Sequence, residues 1–386
     1  MRPMRVLFSA LGAYGHVHPM IPLARATRSA GHTVRWATSP HMCERLTAVG
    51  FTATPAGGDA GARHAEYRRR YPHEATLSAD ERRRLMFPKL FGEIAAPAIL
   101  PDLLEATTQF RPDLVVHDAA EFASAIAAER LDIPHVTHSF GALVPRETVE
   151  AASREVERLW TSVGLEPRPF GGSYDHLYLD IYPPGMQPFA LTHVPKVQSL
   201  RPSAADAVDG ERLAEHLDRI SRRIVYVTFG TVFNPAEVFA PVLEATRTLD
   251  ATVVVTVGPA GDPAALGTVP PNVIVERYVP QSLLFGRCAV VVSHAGSGTF
   301  LSALAHGLPQ VCLPQAADQF VNAATCERIG AGLALPPGDV SANAVAATLD
   351  RVLDDPAFKA HAVRASETIA TMPSPDEVTK TIEQLA

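Results

Sequence analysis

Between Val291 and Asn322 the chain reads VVSHAGSGTFLSALAHGLPQVCLPQAADQFVN. An apolar, strand-like run ends at Ser293-His294, four small residues follow (Ala295-Gly296-Ser297-Gly298), and Thr299 opens a helical pattern. A strand that turns through glycine into a helix presents unpaired backbone N–H groups at the positive end of the helix dipole, which suits an anion. Glycine lets the backbone approach phosphate oxygens closely, Ser297 and Thr299 add hydroxyl donors, and His294 adds a ring donor without a fixed charge. No Lys follows the glycines, so this is not a Walker loop. The same residues also fit a plain strand-to-helix turn. Ala295 implies an ordinary backbone conformation at its position, because φ > 0 costs alanine energy that it does not cost glycine.

A second cluster, Gly15-His16-Val17-His18-Pro19, follows the first strand-like run. An imidazole titrates near working pH and suits proton transfer, yet a helix cap or a core hydrogen bond would use His16 equally well. A metal pair of His16 and His18 lacks a third ligand. Three further signals are ambiguous in themselves. Asp118 ends an apolar run and reads as a cap for the next helix, Phe229-Gly230-Thr231 is a common strand end, and Asp318-Gln319 suits a helix N-terminus.

The elements that must hold these residues alternate. Strands are expected at Met4 to Ser9, Thr33 to Ala37, Leu114 to Val116 and Pro134 to Thr137, with helices at Met20 to Ala30, Pro40 to Val49 and Glu121 to Arg130. The stretch from Ala56 to Leu77 breaks this rhythm and reads as an irregular, functional or mobile segment. After a proline-rich passage the pattern restarts at Ile224 to Phe229 and continues through Thr252 to Val257, Val273 to Val275, Ala289 to Val292 and Gln310 to Leu313. Alternation of this kind predicts an α/β protein of two doubly wound parallel sheets. The expected division is a first domain over 1–200, a linker over 201–222, a second domain over 223–370, and a C-terminal helix over 371–386 that packs back on the first.

With 386 residues, 47% of them hydrophobic and 19% charged, the chain can bury two sizeable cores. Its net charge of -7 and the lack of a long basic stripe exclude a nucleic-acid binder. The short runs Arg68-Arg69-Arg70 and Arg82-Arg83-Arg84 read as solvated helix faces. Four cysteines without metal spacing, and no apolar run long enough for a signal peptide or a membrane span, point to a cytoplasmic protein.

Taken together and in order, the motifs resemble the donor-binding signature of the family-one glycosyltransferases, most closely the bacterial natural-product branch. Tyr278-Val279-Pro280-Gln281, then His294 to Thr299, then Asp318-Gln319 stand at about that family's spacings, with Tyr278 where Trp is common and Ala295 where Gly is common. The resemblance implies the GT-B architecture, two Rossmann-like domains facing a cleft. It implies that Tyr278, Val279, Pro280 and Gln281 take the nucleobase, and that Gly230, Thr231, His294, Gly296, Ser297, Gly298 and Thr299 take the diphosphate. Asp318 and Gln319 would bond the donor sugar, His16 would be the catalytic base, and Asp118 would orient it.

The implied reaction is an inverting transfer from a TDP- or UDP-sugar, deoxysugars included, to a hydroxyl of a small aglycone. No Asp-x-Asp occurs, so neither a metal nor another cofactor is expected. The protein would be a monomer or homodimer. An epimerase on the same scaffold and a catalytically silent, donor-binding relative are the alternatives.

Overall fold

The structure, a computed structural model, describes residues 2–203, 211–230 and 236–386. The chain forms two compact units. The first comprises the chain up to Tyr182 together with Phe189–Arg201 and Pro373–Ala386, and the second comprises Pro183–Pro188 and Pro202–Met372.

In the first unit β1 (Arg5–Ser9), β2 (Thr33–Thr38), β3 (Thr52–Pro55), β4 (Leu114–Asp118), β5 (His135–His138), β6 (Leu177–Asp180) and β7 (Val197–Ser199) form one sheet in the order β3-β2-β1-β4-β5-β6-β7. All of its pairings are parallel. In the second unit β8 (Ile224–Thr228), β9 (Thr252–Thr256), β10 (Val273–Glu276), β11 (Cys288–Ser293), β12 (Gln310–Cys312) and β13 (Gly332–Ala334) repeat the scheme as β10-β9-β8-β11-β12-β13. Each sheet runs outward from its first strand and then jumps to the far side. The crevice at that reversal, between β1 and β4 and between β8 and β11, is where open α/β sheets bind ligands.

The strands of the second sheet show why such runs are apolar throughout. Val225, Val227 and Phe229 enter one core, while Ile224 and Tyr226 enter the other on the opposite face. Successive side chains alternate faces, and helices cover both.

Three features depart from the sequence expectations. Pro183–Pro188 groups with the second unit, where the Arg328 guanidinium donates to the Met186 carbonyl at 2.6 Å. The expected linker holds a short helix, Glu215–Asp218, whose Leu217 is buried with Tyr226 and Phe285, so the second unit already includes these residues. The irregular segment contains an 11-residue helix, Ala60–Arg70, whose N-cap Asp59 accepts from the Ala62 N–H at 2.7 Å. Its buried residues are Arg63 and Tyr67, so it carries no apolar stripe for a periodicity reading to find.

The helix Pro375–Ile382 opens with a Ser374/Glu377 capping box and packs on the helix Ile21–Ser29 of the first unit. His32 fastens this junction, its Nε2 lying 2.8 Å from Glu383 Oε1. Among the described residues no helix is long and apolar enough to cross a membrane.

Candidate active site

The chain leaves β1 through a tight turn. A Cβ at Gly12 would lie 1.9 Å from Ser39 Oγ, so only glycine fits. One helical turn, Tyr14–Val17, then places His16 Nδ1 3.1 Å from Oδ1 of Asp118, the last residue of β4. The pair therefore spans the switch point of the first sheet.

Asp118 is 1% exposed and well satisfied, with Oδ2 accepting from the Leu11 N–H at 2.9 Å and Oδ1 from the Ala120 N–H at 2.7 Å. Burial works to raise its pKa, but the charge and hydrogen bond of His16 and the two backbone donors outweigh it, holding the carboxyl below its ordinary value. An ionised carboxylate can only accept, so it assigns the ring proton to His16 Nδ1 and the lone pair to Nε2. The His16 side chain is 16% exposed, with Phe140 at 4.8 Å and Phe91 at 5.8 Å between ring centroids. Phe91 rides on a π-helical stretch, Phe87–Ala95, while Phe87 itself is buried in the core.

Glu121, which the sequence reading left as an ordinary helix residue, sits beside this pair. It is 2% exposed and accepts from Ser9 Oγ at 3.0 Å, from the Ala123 N–H at 2.7 Å, and from the Ser124 hydroxyl. It, rather than Asp118, binds the first N–H groups of the helix Ala123–Glu129. Burial, seconded by the Asp118 charge, pushes its pKa from 4.5 up to about 7 against those hydrogen bonds. The native state then holds a proton that the unfolded chain gives up near 4.5, so stability falls as pH rises between those values and stays level above. A shift of that size corresponds to about 3 kcal/mol. The stability difference between wild type and Glu121→Gln, from urea titrations at pH 5 and pH 8, should shift by that amount against the wild type as pH rises, since the titration of the buried histidines is common to both. A difference that does not change with pH would contradict the assignment.

In the second unit Gly230, two residues beyond the end of β8, has a left-handed φ of +74°. A Cβ there would lie 2.7 Å from His294 Cε1, and one at Gly296 would lie 2.5 Å from His294 Nε2. Two glycines thus make the slot that admits the His294 ring. Burial pushes His294 down to about 4, so the ring is neutral at pH 7, and its Nδ1 is buried without a hydrogen-bond partner among the described residues. Thr231 lies outside the described residues.

The Gly/Ser loop enters the helix Ser297–Ala305 through a conformation that the alanine at position 295 argued against. Ala295 has φ +61°, in the left-handed region. This costs an alanine about 1–2 kcal/mol, and two bonds offset it. Ser293 Oγ accepts from the Ala295 N–H at 3.0 Å, and Asn322 Nδ2 donates to the Ala295 carbonyl at 2.9 Å.

Asn322 also lies 3.0 Å from Ser297 Oγ and 3.2 Å from Asp318 Oδ2, one helical turn from Asp318. Asn322→Ala should therefore cost about 1–3 kcal/mol, read as a lower urea midpoint at unchanged m-value. An unshifted midpoint would show that the carbonyl finds another donor.

Asp318 Oδ2 accepts from Ser297 Oγ at 2.6 Å and from the Ser297 N–H at 3.3 Å, so that oxygen braces the loop. Gln319 is 3% exposed, and its Oε1 accepts from the Gln315 and Ala316 N–H groups at 2.7 and 2.9 Å. Gln281 Nε2 donates to Thr299 Oγ1 at 3.0 Å, which joins the Tyr278–Gln281 segment to the same helix. Val279 is buried in the core, Pro280 caps the short helix Gln281–Leu284, and Gly298 is exposed at the loop.

Two Rossmann-like parallel sheets, each with polar loops gathered at its switch point, define the architecture of the GT-B glycosyltransferases. Residues 25–159 match the N-terminal domain of the erythromycin biosynthesis protein CIII-like family, and residues 240–385 match its C-terminal domain. The chain is 29% identical over 420 residues to the 3-alpha-mycarosylerythronolide B desosaminyl transferase of Saccharopolyspora erythraea, covering 99% of this chain and 98% of that one. It is 29% identical over 430 residues to the TDP-daunosamine transferase DnrS of Streptomyces peucetius, covering 99% and 97%.

The solved spinosyn rhamnosyltransferase SpnG superposes with a TM-score of 0.83 at 27% identity, covering 98% of this chain and 100% of that one. The glycosyltransferase VinC, solved in complex with dTDP, superposes with a TM-score of 0.82 at 25% identity over 99% of each chain. The chain belongs to the erythromycin biosynthesis protein CIII-like family, the natural-product branch of the family-one glycosyltransferases.

Proposed function

We propose that the protein inverts a sugar at its anomeric carbon, moving it from a nucleoside diphosphate to a hydroxyl of a small natural product, without a metal in the step. The observation that carries this reading is the His16–Asp118 pair, 3.1 Å apart at the switch point of the first sheet. His16 Nε2 takes the acceptor proton as the oxygen attacks, and Asp118 stabilises the imidazolium that forms. The apolar rings of Phe91 and Phe140 beside His16 suit an aglycone.

The departing diphosphate lies at the N-terminus of Ser297–Ala305, with His294 and Thr231 as added donors. Asp318 Oδ1 and Gln319 Nε2 face the donor sugar, since their other polar atoms are engaged in the loop. Tyr278, Val279, Pro280 and Gln281 hold the nucleobase. Relatives named for a TDP-sugar or solved with dTDP favour thymidine over uridine.

The test is calorimetric titration of EDTA-treated protein with TDP and with UDP, repeated on His294→Ala. Micromolar binding of TDP, weaker binding of UDP and loss of both in the variant are expected. No binding of either nucleotide would overturn the donor site.

A further inference from the structure

The first unit carries a polar cluster at the N-terminal ends of its strands, the edge opposite His16. Glu129 ends the helix Ala123–Glu129, His135 opens β5, and His176 precedes β6. One ligand atom from each lies within 4.8 Å of the others.

A chain of hydrogen bonds dictates the protonation of the innermost ring. The Asp118 backbone carbonyl can only accept, so His117 Nδ1, 3.2 Å away, carries the hydrogen of that ring. With one proton on the ring, His117 Nε2 must accept; Thr137 Oγ1, 3.3 Å away, gives its hydrogen to the Ser173 carbonyl, so the donor is His135 Nδ1 at 3.2 Å. His135 Nε2 is then a bare lone pair. It is buried, has no hydrogen-bond partner among the described residues, and lies 3.6 Å from Glu129 Oε1. A buried lone pair facing a carboxylate oxygen is unfavourable unless a cation sits between them.

We propose that Glu129, His135 and His176 bind a divalent cation of the zinc class, which staples the helix Ala123–Glu129 to β5 and β6. Bonds of about 2.0–2.1 Å at tetrahedral angles set ligand atoms about 3.3 Å apart. The observed separations from Glu129 Oε1, 3.1 Å to His176 Nε2 and 3.6 Å to His135 Nε2, bracket that value. His135 already has the outer partner that metal-bound imidazoles require, in His117. Arg168 lies 3.2 Å from Glu129 Oε2, and Oε1 is hydrogen-bonded to His176 Nε2 at 3.1 Å, a contact the ion would replace. A pocket of about 420 Å³ lined by Glu129, Arg168, Asp175 and His176 gives the ion a way in, with water as a fourth ligand. Two imidazoles with one carboxylate select zinc over magnesium or calcium. The site is separate from the donor loop and supplies nothing to the transfer step.

The test titrates tag-free, EDTA-treated protein with zinc chloride by calorimetry and with cobalt chloride by visible absorption, magnesium chloride serving as control. Expected are one saturable zinc site, the absorption of four-coordinate cobalt, and no response to magnesium. Zinc should also raise the melting temperature of the wild type. His176→Ala, at a side chain that is one-third exposed, and Glu129→Gln should each weaken zinc binding at least about tenfold while the circular dichroism stays unchanged. No saturable zinc binding to the wild type, or equal binding by both variants, would overturn the proposal.

Discussion

His16→Ala should lower kcat by about 10²–10⁴-fold, the usual contribution of a positioned general base, while TDP affinity stays at the wild-type value. The two readouts separate because His16 belongs to the first unit and the donor loop to the second. Asp118→Asn should fall in the same direction. Asp118 serves three donors, namely His16 Nδ1 and the Leu11 and Ala120 N–H groups, and an amide offers only one accepting oxygen. The imidazole would lose the partner that sets its tautomer.

Because the two residues act as one unit, the double variant should be little worse than His16→Ala alone. The acid limb of the pH dependence of kcat/KM, which reports protonation of the base, should vanish in His16→Ala. Wild-type kcat in that variant would show that another group takes the proton.

Gly230→Ala should weaken TDP binding about 10–100-fold, as much as removing His294 itself, because its effect is to displace the His294 ring. The added Cβ would stand 2.7 Å from Cε1 and 2.9 Å from Nε2 of the ring, closer than real Cβ atoms pack, so the ring must shift. The left-handed φ of +74° adds strain of about 1 kcal/mol. A double-variant cycle isolates the cause. Once His294 is alanine the slot is empty, so Gly230→Ala should then cost little further affinity. If the two losses simply added, Gly230 would be acting on the nucleotide directly and not through His294.

Much of this arrangement was legible in the sequence, for a physical reason. Buried parallel strands must be apolar on both faces, so β1, β4, β8 and β11 stand out, and the residues that follow them fall at the switch points by topology. It was the family resemblance that singled out His16, Asp118, Gly230 and His294 among those residues, and the structure brings His16 to Asp118 and Gly230 to His294. What was hidden had no one-dimensional trace. The helix Ala60–Arg70 buries an arginine through side-chain bonds to the Gly57 and Gly58 carbonyls, which no hydrophobic period reports. Glu121 and Asn322 matter through partners 112 and 27 residues away. The left-handed Ala295 is held by Asn322, so its conformation is a tertiary fact that the residue type argues against.

The return of the C-terminal helix to the first unit has a consequence for synthesis. The strands of the first sheet are complete once Arg201 has emerged from the ribosome, but the helix Pro375–Ile382 follows only after the second unit has been made. At about 5–20 residues per second, the roughly 170 intervening residues take about 10–30 s. Throughout that interval the nascent first unit shows the exit-tunnel surroundings a face that Val378 and Ile382 will later cover. A chain that terminates before Pro373 leaves that face open permanently, as a binding site for chaperones or for other nascent chains.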